Sequence, residues 1–184
     1  FETGELSRRI SLAEATTDLG ATDSKKKSGT YRKGKFRDKG LEIAIENPRG
    51  SMRRGVSASG KPWATMMPYS YGYIMRTTGS DNQGVDVFLG DAIESDKVFV
   101  IDQYKGEEFD EHKVMLYFGD EKSAVFAYKS CYESSWDGMG AITEMSWNEF
   151  KIWLKGDLTG PAAIAGYDGV IAKQYENPQG DCFV

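Results

Sequence analysis

The stretch that most constrains this chain runs from Met67 to Gly90, MPYSYGYIMRTTGSDNQGVDVFLG. Two β-prone segments, Tyr69 to Met75 and Val85 to Leu89, flank a turn rich in glycine, serine, aspartate and asparagine. The turn sets Asp81 and Asp86 close together in sequence. Two carboxylates brought that near repel each other unless a cation lies between them. Hard oxygen donors at a loop-to-strand junction suit Mg²⁺ or Mn²⁺ better than zinc, which prefers histidine or cysteine. The competing reading is a plain hairpin whose aspartates make only turn hydrogen bonds.

The remainder of the chain is consistent with a single domain carrying a short appendage. Its 184 residues are 40% hydrophobic and 28% charged, the balance of an ordinary globular protein. No apolar run reaches bilayer length, so no membrane partner is expected. Cys131 and Cys182 do not make a disulfide framework, and a lone His112 cannot build a zinc site or serve a Cys/His nucleophile. The chain opens at Phe1 rather than Met and is expected to be a processed piece of something longer.

Charge is distributed unevenly. Residues 1–61 hold 14 Lys/Arg against 8 Asp/Glu, whereas residues 62–184 hold 9 against 20. That split fits phosphate-binding cations ahead of metal-binding carboxylates, and equally a solvated basic arm ahead of an acidic fold. Residues 1–30, with a helix-compatible LSRRISLAEA patch and a lysine run, read as a flexible basic arm. The arm lacks the interleaved aromatics of a nucleic-acid binder, so nucleic acid is not a favoured partner.

Further along, Leu41 to Glu46 alternates as a half-buried strand ending on Glu46. A turn is expected at Ser57 to Gly60. Lys97 to Tyr104 reads as a strand buried on both faces until Asp102 interrupts it, and a charge there needs a partner or a metal. The chain returns through Asp110, Glu111, His112 and Lys113 into another strand. Asp120 can cap a helix from Glu121 to about Cys131. Ser146 with Glu149 is a capping box for a second helix with a stripe of Trp147, Phe150, Trp153 and Leu154, stopped by Gly156.

The Tyr71-Gly72-Tyr73 strand and the Asp81-Asn82-Gln83-Gly84-Val85-Asp86 loop resemble the signature of the soluble family I inorganic pyrophosphatases. In that signature an aromatic Y-x-Y-G-Y-like strand precedes D-G-D-P-x-D. The wider stretch from Tyr31 to Lys155, with IENPRGS and FDEHKVMLYFG, is similar to the pyrophosphatase-type domain of phage and mobile-element polyvalent proteins. The resemblance implies an α+β fold around a small five-stranded antiparallel, OB-like β-barrel. Its strands would begin near Leu41, Tyr69, Val85, Lys97 and Lys113, with two helices outside.

It also implies a chemistry, Mg²⁺-dependent hydrolysis of pyrophosphate or a related phosphoanhydride, with Mn²⁺ as a substitute. Asp81, Asp86 and Asp102, with Asp110 or Glu111, would hold metal. Arg53 or Arg54, Lys61, Lys113 and Lys129, with Tyr71 and Tyr128, would hold phosphate. Glu46 falls on an active-site glutamate. Gln83 stands where the family has the aspartate that takes the proton of the attacking water, and an amide cannot accept that proton. Asp81 or Glu46 would then substitute.

The implied organisation is an arm over 1–30, a pyrophosphatase-like domain over 31–156 and an appendage over 157–184. The appendage's Gly166-Tyr167-Asp168-Gly169 resembles the end of ADP-ribosyltransferase-like domains. A rival reading is a catalytically weak or inactive module of a phage virion or ejected polyprotein, partnered by other virion components. The expected location is accordingly the host cytoplasm or the virion.

Overall fold

The computed structural model describes residues 2–164 and 171–174. Helices α1 (Glu2–Thr16) and α2 (Asp23–Ser28) precede strands β1 (Gly34–Asp38), β2 (Leu41–Asn47), β3 (Met52–Val56), β4 (Pro62–Met66), β5 (Ser70–Ile74) and β6 (Val85–Leu89). The chain continues through β7 (Lys97–Lys105), β8 (Glu108–Leu116), α3 (Glu121–Ser130), β9 (Met139–Ser146), α4 (Trp147–Leu154), a 3₁₀ turn (Ala162–Ile164) and β10 (Ile171–Gln174). Eight strands form one sheet in the order β1-β2-β5-β6-β8-β7-β9-β10, and β3 with β4 makes a separate two-stranded ribbon. Pairing within the sheet is antiparallel except between β6 and β8.

The fold is α+β, as expected, and all five anticipated barrel strands lie in this sheet. Among the described residues no ladder joins β1 to β10, so the hydrogen bonding is that of an open sheet where a closed barrel was implied. β1, β9 and the β3–β4 ribbon were not anticipated, because β1, β3 and β9 are broken by glycine and charge and β4 opens on proline. The expected turn does close that ribbon, with the Ser57 N–H donating to the Lys61 carbonyl at 2.8 Å and Gly60 at φ 82°.

Period-two alternation divides the strands between two cores. Val98 and Val100 of β7 join a cluster with Ile43, Val87 and Val114, covered by Leu6, Ile10 and Ala13 of α1 and by Trp147, Phe150 and Trp153 of α4. Phe99 and Ile101 face the other way and join Phe88, Met115 and Ile142 beneath Ala124, Ala127 and Tyr128 of α3. Asp120 caps α3, its carboxylate accepting the Ser123 N–H at 2.7 Å. Ser146 caps α4 by accepting the Glu149 N–H at 3.2 Å, half of the anticipated capping box.

The first half of the segment expected to be a loose arm is a packed helix, whereas α2 in the second half buries no residue. Helix α1 lies against β1 and β2, where Thr17 donates to the Ile45 carbonyl at 2.9 Å and accepts the Gly34 N–H at 3.0 Å. The charged and polar residues that dominate this segment conceal a narrow apolar stripe, Leu6, Ile10 and Ala13, that is enough to dock a helix. Of the appendage, Leu158 and Ala162 pack into the first core, while Gly166 to Gly169 and Cys182 lie outside the described residues.

Gly72 shows why the aromatic strand is interrupted by glycine. It pairs with Ile45, and a Cβ there would run into the backbone carbonyl of Ala44 on the neighbouring strand. The backbone cannot yield as a flexible side chain would. Gly72→Ala is expected to lower stability by about 1–3 kcal/mol, read from the urea midpoint; an unchanged midpoint would show that β2 and β5 can separate.

Candidate active site

The same alternation that divides the cores decides which polar side chains meet. On β8, Glu111 and Lys113 share the parity of Met115 and face α3, whereas His112 shares the parity of Val114 and faces α4. Asp86 on β6 stands beside Lys113 in the parallel register, and Tyr71 on β5 packs against Phe88 with ring centroids 4.8 Å apart. The α3 face of the sheet therefore collects residues from β5, β6 and β8 that are far apart in sequence.

Lys113 is the centre of the cluster. Its ammonium is 2% exposed and lies 2.6 Å from Asp86 Oδ2, 2.7 Å from Glu111 Oε1 and 3.0 Å from the Tyr71 hydroxyl. Burial opposes the charge, but the oxygens of Tyr71, Tyr132, Asp86 and Glu111 outweigh it and hold the amine above the ordinary lysine range. Burial pushes the Glu111 carboxyl up, and Lys113 restrains that rise.

Arg53 reaches the cluster from the β3–β4 ribbon. Its guanidinium carbon lies 4.4 Å from the Tyr71 ring centroid and 5.3 Å from that of Trp63, so the cation is held over two aromatic faces. It also donates to the Tyr71 hydroxyl at 3.4 Å. Tyr71 thus accepts from both cations while its own proton stays free to donate. Burial keeps Tyr71 a protonated phenol. Glu46 lies within electrostatic reach of Asp86, Arg53 and Lys113, and burial first, then the Asp86 charge, raises its carboxyl above the usual range.

Sequence reasoning missed Gln103. It is 4% exposed, accepts from Tyr128 at 2.7 Å and Tyr132 at 3.1 Å, and donates to Asp110 at 3.3 Å and Glu111 at 3.2 Å. The carboxylates fix the amide orientation, because an oxygen facing them would be repelled. Parity with Phe99 and Ile101 was the available signal, but sequence did not say which face the site would occupy.

Several expected site residues are elsewhere. Asp102 has the opposite parity and is fully buried on the α4 side, accepting the N–H groups of Ala162 at 2.9 Å and Ala163 at 3.2 Å. Its charge has the partner that a buried carboxylate needs, namely backbone donors rather than a metal. Asp81 and Gln83 are exposed on the β5–β6 turn, where the Asp81 carboxylate accepts the Gln83 N–H at 3.0 Å, as in the plain-turn reading. Arg54 is on the outward face of the ribbon and Lys61 is exposed beside its turn.

Tyr128 is occupied on both sides, donating to Gln103 and accepting from Trp136 at 2.8 Å. Lys129 is buried next to it on α3. Asp110 sits at a bulge of β8, 3.2 Å from Lys105.

Two of the residues that converge, Asp86 and Glu111, are hard oxygen donors already bridged by one cation, the Lys113 ammonium. Mg²⁺ is commonly bound through one or two carboxylates, completing its shell with water and phosphate oxygens. Among the described residues no group of three or more acidic, histidine or cysteine side chains closes on one point, so the four-carboxylate cage implied by the resemblance is not assembled.

One face of this α+β sheet carries buried cations, phenols and carboxylates, the side-chain types used for phosphate oxygens and hard metal ions. A family model described as Inorganic Pyrophosphatase matches residues 23–155, and the chain belongs to the inorganic pyrophosphatase family. No curated protein and no solved structure matches the chain. Among the described residues, no helix is long and apolar enough to cross a membrane.

Proposed function

We propose that this chain hydrolyses inorganic pyrophosphate, or a related phosphoanhydride, to phosphate with Mg²⁺. The observation that carries this reading is the meeting of Asp86, Glu111, Lys113, Arg53 and Tyr71 on one sheet face in a chain of this family. Asp86 and Glu111 would hold the metal, with Glu46 and Asp110 near by. Bound there, Mg²⁺ supplies neutralisation of phosphoanhydride charge and a lowered pKa for water.

The chain's own groups divide the remaining tasks. Arg53 offers a planar fork to phosphate oxygens, Lys113 a compact charge and Tyr71 a neutral donor. Glu46 takes the role of general base that Gln83 cannot fill, since its raised carboxyl pKa is nearer to neutral pH than an ordinary glutamate's. The test is phosphate release from pyrophosphate with Mg²⁺, comparing wild type with Asp86→Asn. A loss of about 100-fold or more is expected, and equal turnover would remove the assignment.

A second reading, a weak or inactive pyrophosphatase-fold module of a phage virion, is favoured by one arrangement. Gln103 rather than an acid faces the cluster from β7, and Asp81 and Asp102 are engaged elsewhere. Absence of phosphate release by wild type, with Mn²⁺ binding also absent, would select it.

A further inference from the structure

We propose that Trp63, given room by Gly55, is a positioning residue that aims the Arg53 guanidinium at a phosphate group. The inference rests on the reading of Arg53 as a phosphate-binding cation and calls on no metal ion. Arg53 belongs to the β3–β4 ribbon, which is a sheet of its own, and among the described residues neither core includes any from Met52 to Met66. A long side chain on such a support keeps its rotamer freedom unless a neighbour removes it.

Trp63 does so from the adjoining strand. Arg53, Gly55, Trp63 and Thr65 lie on the half-buried face of the ribbon, with Trp63 directly across from Gly55. A Cβ on Gly55 would collide with Cζ2 and Cε2 of the indole, so the ring lies over the glycine. The Gly55 backbone is not left-handed, and what glycine supplies here is space. The Arg53 guanidinium carbon then sits 5.3 Å from the Trp63 ring centroid and 4.4 Å from that of Tyr71 on β5, which fastens the ribbon over the sheet.

Stacked rings engage the faces of a planar cation and leave its in-plane N–H edge for hydrogen bonds. One N–H donates to the Tyr71 hydroxyl at 3.4 Å. Asp86 lies within electrostatic reach of the guanidinium, but its 2.6 Å contact goes to Lys113. The rest of the fork is offered to phosphate oxygens, whose geometry two parallel N–H donors match.

The test is calorimetric titration of pyrophosphate in EDTA, where no metal supports turnover, into the full chain and its variants. Trp63→Leu and Gly55→Ala are each expected to bind about tenfold more weakly than wild type, and Trp63→Phe, which keeps a ring face, within about threefold of it. A lysine ammonium has no plane to align, so in an Arg53→Lys background the loss from Trp63→Leu should shrink to about twofold or less. Urea midpoints should stay together, because the ribbon is outside both cores. Equal affinity of wild type and Trp63→Leu, a tenfold loss in both backgrounds, or no binding by wild type overturns the proposal. If Trp63→Leu does not fold, Gly55→Ala decides alone by the same criteria. A wild type that binds in the expected order but releases no phosphate with Mg²⁺ supports the proposal and removes the hydrolase reading.

Discussion

Lys113→Met is expected to abolish measurable pyrophosphate hydrolysis and to cost about 3 kcal/mol of stability. The ammonium is almost fully enclosed and has three oxygen partners within 3.0 Å. Methionine matches the length of the lysine stem but leaves Asp86 and Glu111 facing each other without a counter-ion. Removing one member of a buried pair costs more than the pair contributes, because the orphaned charge must be accommodated. On the proposed hydrolase reading turnover suffers independently, since a cation offered to phosphate is lost where charge develops. Urea unfolding and phosphate release on the same preparation separate the two effects. A variant as stable and as active as wild type would mean that Lys113 is a passive core residue.

Asp102→Asn is expected to change how stability depends on pH. Burial raises the Asp102 carboxyl from 3.8 to about 6, against the Ala162 and Ala163 hydrogen bonds that lower it. His112, 3.5 Å away, is pushed by burial from 6.5 to about 4, against a hydrogen bond that its ring donates to the Gly160 carbonyl and that raises it. The His112 ring also packs against the uncharged rings of Phe109 and Trp153.

The two groups act in opposite directions. A raised carboxyl binds its proton more tightly when folded, so the stability it confers is full below 3.8 and is lost as pH rises to about 6. A depressed imidazole stabilises the fold above 6.5 and loses that contribution as pH falls to about 4. Each amounts to about 3 kcal/mol, so in wild type they nearly cancel between pH 4 and 6.5. Asparagine cannot titrate, so the variant retains only the histidine contribution. Its stability should climb by about 3 kcal/mol from pH 4 to pH 7, on top of a constant cost for one lost backbone hydrogen bond. Urea unfolding at a series of pH values checks this, and parallel profiles for variant and wild type would refute it.

Much of the site is legible in the sequence. Family likeness points to Tyr71, Asp86, Glu46, Lys113 and either Arg53 or Arg54, and of the two arginines Arg53 is the one that reaches Tyr71. The choice between Asp110 and Glu111 is open in the sequence, and the hairpin register settles the proximity in favour of Glu111, which alone of the two contacts Lys113. Asp102 shows why the rest is not legible. A charge ending a buried run does demand a partner, but here the partner is the backbone of the 3₁₀ turn on the far side of the sheet.

By itself the sequence determined the family, the paired aromatic strands, the caps of α3 and α4 and several of the acidic and basic residues that cluster on the α3 face of the sheet. These are local properties, set by side-chain periodicity and by hydrogen bonds between residues close in the chain. Which of two adjacent residues, Asp102 or Gln103, enters the site was decided only by tertiary structure. Successive side chains of a strand point to opposite faces, and both faces of this sheet are covered by helices. Neither hydrophobicity nor charge marks one side as the site until α3, with Tyr128, is seen to lie over Gln103.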